Sequence, residues 1–189
     1  LYKVTNDTNL SSIIGNTLSE YLKVRVTDGL DNPVANVAVR FQVLSRNEAQ
    51  GGTLDGLIDS VKTKNTDSNG FAWVQFTLGH NSGYRINKVE ARAENPTTKL
   101  PLSGSPVLFE ITGTSTNARK IALVDGGNQK GVVGEYLPRP VQVKAMDQYN
   151  NPVRNQPIRY RIVQDVSQTE GIGSLGPGAA VDTSVNTNA

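Results

Sequence analysis

Apolar and polar side chains alternate with a period of two along five segments of this chain, and that alternation constrains its fold more than any other feature. Leu22, Val24 and Val26 alternate with Lys23, Arg25 and Thr27, and Val37, Val39, Phe41 and Val43 with Ala38, Arg40 and Gln42. Ala72, Val74, Phe76 and Leu78 alternate with Trp73, Gln75 and Thr77, and Val89, Ala91 and Ala93 with Lys88, Glu90 and Arg92; Val107, Phe109 and Ile111 close the series. Successive side chains of a strand point to opposite faces, so each segment predicts a strand with one buried face. Turn chemistry separates the runs at Asp31-Asn32-Pro33, at Ser68-Asn69-Gly70 and from Gly79 to Gly83. An Asn-Gly pair is a strong hairpin signal. Short strands, regular turns and no sustained helical period predict an all-β chain of antiparallel β-sandwich architecture.

The pattern then repeats. Val24 to Asp28, followed by Asp31-Asn32-Pro33-Val34, returns as Val143 to Asp147, followed by Asn150-Asn151-Pro152-Val153. Val39, Phe41 and Val43 return as Ile158, Tyr160 and Ile162, and Gly52-Thr53-Leu54 as Gly173-Ser174-Leu175. The offset is 119 residues from Pro33 to Pro152 and 121 from Leu54 to Leu175, so the second copy holds a connection two residues longer. A period of this size is one sandwich domain. The expected division is a first domain over 1–113, a junction over 114–117 and a second domain over 118–189. The second copy is expected to be truncated just before its counterpart of Phe71 to Leu78, leaving an open edge and an unclosed core. With no initiator Met and no signal peptide at Leu1, the chain is expected to be a fragment whose targeting signals lie elsewhere in a parent protein.

Composition narrows the function classes. Hydrophobic residues make up 37% and charged residues 19% of 189 positions, and the remainder is largely Gly, Asn, Thr and Ser. That mix suits a β protein rich in turns. The net charge is +2 with cations spread along the chain, whereas nucleic-acid binding calls for clustered cations, so no nucleic-acid partner is expected. The absence of cysteine excludes disulfides, thiol catalysis and cysteine metal sites. No apolar stretch approaches the roughly 20 residues that span a bilayer as a helix.

The order and spacing of the motifs resemble the group 1 bacterial Ig-like domain of invasin and intimin stalks. The residues that carry the resemblance are Val24 to Val34, Val37 to Val43, Gly52 to Leu54, Thr66-Asp67-Ser68-Asn69-Gly70-Phe71-Ala72 and Ser105-Pro106-Val107-Leu108-Phe109. It covers essentially all of the first copy and the available part of the second. It implies tandem immunoglobulin-like sandwiches of seven to nine strands, a bacterial cell-surface location (outer-membrane-anchored or secreted) and a spacer or adhesive role. Receptor contacts in invasin-like proteins lie in a distal region that nothing here resembles.

Residues that carry chemistry are few. His80 is the single histidine, in Leu78-Gly79-His80-Asn81-Ser82-Gly83, and its surroundings give neither a triad nor a nucleophile elbow, so it reads as a polar loop residue. Asp28, Asp31 and Asp147 flank the Asn-Pro turns and raise calcium, but the first loop offers two carboxylates and the second one. Calcium takes six to eight oxygens, and Asp in such loops more often bonds its own turn backbone. The glycines between Gly171 and Gly178 lack the helix that a phosphate loop requires and read as a β-connection. No catalytic residue, metal or cofactor is expected.

Alternation turns Trp73 outward, where a tryptophan can anchor a partner or stack on a sugar. The plainer reading covers it with a loop, a neighbouring domain or a bulge. Tyr84, Tyr21 and Tyr136 are read the same way, and Trp73, Tyr84 and His80 are the candidate partner contacts. The outward cations Lys23, Arg25, Arg40, Lys88 and Arg92 are expected to solvate the sheet and discourage edge pairing, with contact to anionic glycans as a second reading. Three functions fit. The first is a non-enzymatic rigid spacer in a tandem stalk, partnered by neighbouring Ig-like domains, whose membrane-anchored parent meets a host receptor or glycan. The second is a module that binds a host protein or glycan through loops or the face around Trp73. The third is an accessory domain of an extracellular enzyme.

Overall fold

The computed structural model describes residues 1–44, 51–56, 60–163, 173–175 and 182–188. Of the glycine-rich connection, Gly171, Ile172 and Gly176 to Gly178 lie outside the described residues. Among the described residues the fold is all-β, with one 3-10 turn at Asp7–Asn9. The chain divides into two compact units, Leu1–Ser115 and Thr116–Ala189.

The first unit contains β1 (Tyr2–Lys3), β2 (Ser11–Ile13), β3 (Leu22–Arg25), β4 (Ala38–Val43), β5 (Thr53–Leu54), β6 (Val61–Asn65), β7 (Phe71–Val74), β8 (Phe76–Thr77), β9 (Gly83–Ala93) and β10 (Val107–Thr114). They form a three-stranded sheet in the order β1-β3-β7, a five-stranded sheet in the order β2-β10-β9-β4-β6 and a β5-β8 ribbon. The two main sheets contribute to one core. Leu22, Val24, Ala72 and Val74 from the smaller sheet share it with Val39, Phe41, Val89, Ala91, Phe109 and Ile111 from the larger, all at most 1% exposed. Each large apolar side chain buried in this way stabilises the fold by about 1.5–3 kcal/mol before chain entropy is charged against it.

The structure departs from the sequence reading in two places. The segment Phe71 to Leu78 is not one strand but two, β7 and β8, in different sheets. Gln75 at the break exchanges hydrogen bonds with Asp55 instead of a neighbouring strand: its N–H donates to Asp55 Oδ1 at 2.9 Å and its carbonyl accepts the Asp55 N–H at 2.8 Å. The second departure is that the pairing is not wholly antiparallel, because β2 runs parallel to β10 with Ser11 opposite Thr112. The N-terminal segment is shared between the sheets. It borders β3 as β1, makes the 3-10 turn, and borders β10 as β2, so one segment closes an edge of each sheet.

The second unit contains β11 (Lys120–Asp125), β12 (Gln142–Met146), β13 (Pro157–Arg161) and β14 (Asp182–Asn186), paired antiparallel as β11–β12 and β13–β14. The repeat extends to register. In the first unit β4 pairs β6 with Ala38 opposite Asn65; in the second β13 pairs β14 with Pro157 opposite Asn186. The offsets are 119 on one strand and 121 on the other, as in the sequence.

It also extends to single hydrogen bonds. Asp28 Oδ1 accepts the N–H groups of Leu30 and Asn32, and Asp147 Oδ1 those of Tyr149 and Asn151. Asp31 and Asn150 both adopt positive φ in these turns, at 65° and 70°. The Thr66 hydroxyl donates to the Val34 carbonyl and accepts the Val37 N–H, and the Thr187 hydroxyl does the same with Val153 and Gln156.

Candidate interaction surface

The outer face of the three-stranded sheet gathers the most distinctive exposed chemistry of the first unit. Its inward positions are Leu22, Val24, Ala72 and Val74, so parity sends Lys23, Arg25, Phe71 and Trp73 outward. Register then aligns them: Arg25 lies opposite Phe71 on one side and Tyr2 on the other, and Lys23 lies opposite Trp73. Trp73 and Tyr2 are each 40% exposed. The result is a platform of three aromatic rings and two cations.

The cations are held by the rings. Lys23 Nζ stands 4.5 Å from the Phe71 ring centre and 5.5 Å from that of Trp73. Arg25 Cζ is 5.4 Å from Phe71, its Nη1 donates to the Tyr2 hydroxyl at 2.9 Å, and its Nε donates to the Asn69 carbonyl at 3.2 Å. Each exposed cation–ring contact is worth about 0.5–1 kcal/mol. Among the described residues, no carboxylate pairs with either cation.

The five-stranded sheet treats its cations differently. Lys88 Nζ pairs with Glu110 at 2.8 Å, Arg92 pairs with Glu90, and Arg40 donates to the Gln42 carboxamide at 2.6 Å. None of the five cations guards an edge. Lys23 and Arg25 lie on β3, Arg40 on β4, and Lys88 and Arg92 on β9, all interior strands. The edge-protection reading therefore fails for each of them.

The candidate contacts are not brought together. Trp73 belongs to the three-stranded sheet and Tyr84 to β9 of the other. Tyr84 is 75% exposed and borders a cavity of about 820 Å³ lined also by Leu44, Asn81, Arg85, Lys88 and Glu110. Arg85 there adopts φ 53°, and its guanidinium lies 5.2 Å from the Tyr84 ring centre. His80 is a half-buried residue of the loop between β8 and β9, beside Gly15, and does not line this cavity. Tyr21 and Tyr136 are both exposed, Tyr136 in the second unit.

The aspartates of the Asn-Pro turns are occupied by their own loops. Hydrogen bonds from the Asn32 side chain, then from the Asn32 and Leu30 N–H groups, hold the Asp28 carboxyl below the usual carboxylate range. Burial pushes Asp147 up, but the Asn151 side chain and the N–H groups of Asn151, Tyr149 and Thr116 outweigh it and leave it lowered too. Among the described residues, no group of three or more His, Asp or Glu side chains is placed to hold a metal ion.

Parity in the sequence places Trp73 outward, and with it Phe71, Lys23 and Arg25. Tyr2 escapes that reading because β1 is two residues long and joins the platform only through its register with β3. Scanning known protein families, curated proteins and solved structures finds no match to this chain.

Proposed function

We propose that the chain is a segment of tandem Ig-like sandwiches in a bacterial cell-surface protein, acting as a rigid spacer that holds another part of that protein away from the cell. The observation that carries this reading is the duplication of an internal framework. The Asp28 and Asp147 turns share the same hydrogen bonds within the loop, as the Thr66 and Thr187 clamps share theirs, and β13–β14 repeats the register of β4–β6. Outward positions are kept less closely: Arg40 returns as Arg159 and Arg25 as Lys144, but Lys23 becomes Gln142, Gln42 becomes Arg161 and Tyr2 becomes Ile121. A repeat that keeps its turns and register while its surface varies suits a part whose repeated property is geometry. Stiffness then comes from cross-strand hydrogen bonds and close packing. In this reading the chain catalyses no reaction, its partners are neighbouring Ig-like domains, and its parent is anchored in the outer membrane or secreted.

Small-angle X-ray scattering tests the reading. The sample is the chain with a copy of Asn69–Thr114 appended, which gives the second unit the Asn-Gly turn and the strands that cover the first. A maximum dimension near the sum of two sandwich lengths, unchanged from low to high salt, is expected. A compact or salt-dependent particle overturns the spacer.

A further inference from the structure

We propose that the outer face of the three-stranded sheet binds an acidic polysaccharide, with a pyranose ring packed on Trp73 and its carboxylate or sulfate groups held by Lys23 and Arg25. The proposal does not depend on the spacer reading, since a spacer and a non-spacer can both carry such a face.

Two positive charges stand on the middle strand of a sheet, beside Tyr2, Phe71 and Trp73, and among the described residues no carboxylate pairs with either. The larger sheet of the same unit gives Lys88 and Arg92 a glutamate each. Protection of an edge does not explain cations on a middle strand. The rings hold both half-buried cations on the outer face of the sheet, so charge complementarity calls for a negative ligand.

The shape of the face selects among anions. A peptide recognised by strand addition is held by the backbone of an edge strand, which β7 offers, but the two cations stand on the middle strand, where an added strand does not reach them. A nucleic acid held in a backbone-tracking channel neutralises many phosphates with many cations, and this platform has two. An exposed indole on a sheet face suits the C–H face of a sugar ring, because the indole is a large, rigid apolar surface with a polar N–H at its rim. Lys23 and Arg25 are two residues apart on one strand, roughly 7 Å, which lets a linear polymer meet both charges.

Trp73 is the single tryptophan, so its fluorescence reports directly on this face. The full chain is titrated with polygalacturonate and with dextran sulfate, and separately with neutral dextran, poly-glutamate and poly(dT). A saturable change in Trp73 emission is expected with at least one of the two acidic polysaccharides, weakening as salt rises. Which one responds identifies carboxylate or sulfate as the recognised group. Calorimetry on Trp73→Ala is expected to show roughly tenfold weaker binding, and Lys23→Gln and Arg25→Gln about fivefold each. Trp73→Phe retains most of the affinity, and Lys99→Gln, off this face, leaves it unchanged. Thermal melting checks that each variant is folded; if Trp73→Ala is not, Lys23→Gln and Trp73→Phe carry the test. No response to either acidic polysaccharide overturns the proposal. So does equal affinity for dextran, poly-glutamate or poly(dT), or affinity undiminished in a folded Trp73→Ala.

Discussion

Thr66 is 3% exposed and uses its hydroxyl twice, donating to the Val34 carbonyl at 2.7 Å and accepting the Val37 N–H at 2.9 Å. It ties the end of β6 to the start of β4. Replacing it with Val keeps the shape and leaves two buried backbone groups without a partner, which costs about 1–3 kcal/mol. Thr66→Val is therefore expected to lower the unfolding free energy by that amount, read as a lower urea midpoint at unchanged slope; an unchanged midpoint would show that water replaces the hydroxyl. Acid acts on the same scale. Asp28 is lowered by its Asn32 bonds, and Glu110 by the Lys88 hydrogen bond and charge. Asp55 is pushed up by burial but lowered overall by Lys64 and the Gln75 N–H. Depressed carboxyls contribute stability that is present above their unfolded pKa of about 4 and is lost as pH falls through the folded values. The melting temperature is thus expected to be flat near neutrality and to fall below about pH 4, more shallowly in Asp28→Asn. The Asn-Pro turn was legible because its residues are adjacent in sequence. The Thr66 clamp was not, because its partners lie 29 and 32 residues away.

Among elements, the interior strands and the edge strand β7 were legible, because each lays one face on the core, and the edges β2 and β6 were not. β3, β4, β9 and β10 each carry an apolar stripe because one face of each is buried in the core. β6 reads Val-Lys-Thr-Lys-Asn with no fully buried position, and β2 reads Ser-Ser-Ile, so neither shows alternation. Their pairing is set by the strand beside them, which a local pattern does not contain. The break at Gln75 was hidden for a related reason: the burial alternation runs straight through it while the hydrogen bonds go to Asp55. The turn into β7 depends on Gly70, whose φ is 75° and where an added Cβ would come within 2.4 Å of the Val26 carbonyl oxygen. That carbonyl accepts the Val34 N–H, and the Val26 N–H donates to Gly70 O, so the backbone cannot retreat without opening the Asn-Pro turn. Gly70→Ala combines a left-handed backbone with this clash and is expected to destabilise by at least about 1–2 kcal/mol. A circular-dichroism melt measures it, and an unchanged midpoint would mean the turn relaxes freely.

The two units of the whole molecule share a framework but not a core. Twenty buried apolar residues form one cluster in the first unit. Among the described residues of the second, Ala145 is the buried apolar side chain, while Ile121, Leu123, Val124 and Val185 are more than half exposed. The first unit shows what encloses such a framework: β7 lies on β3, and β9 lies on β4. The corresponding strands β12 and β13 pair among the described residues with β11 and β14. A trough of about 520 Å³ lies beside them, lined by Val143, Ala145, Ile158, Tyr160 and Val185 among others. Protection from hydrogen exchange follows burial and local packing. Amides of β4, β9 and β10 are therefore expected to exchange slowest, and those of β11 to β14 orders of magnitude faster. Appending a copy of Asn69–Thr114 supplies the Gly70 turn and counterparts of β7 to β10, and is expected to slow exchange in β12 and β13 towards the rates of β3 and β4. Unchanged exchange in β12 and β13 would mean that equal turns and equal register do not suffice to make equal sandwiches. The repeated framework would then be a local motif and not the frame of a domain, and the spacer reading would lose the observation that carries it.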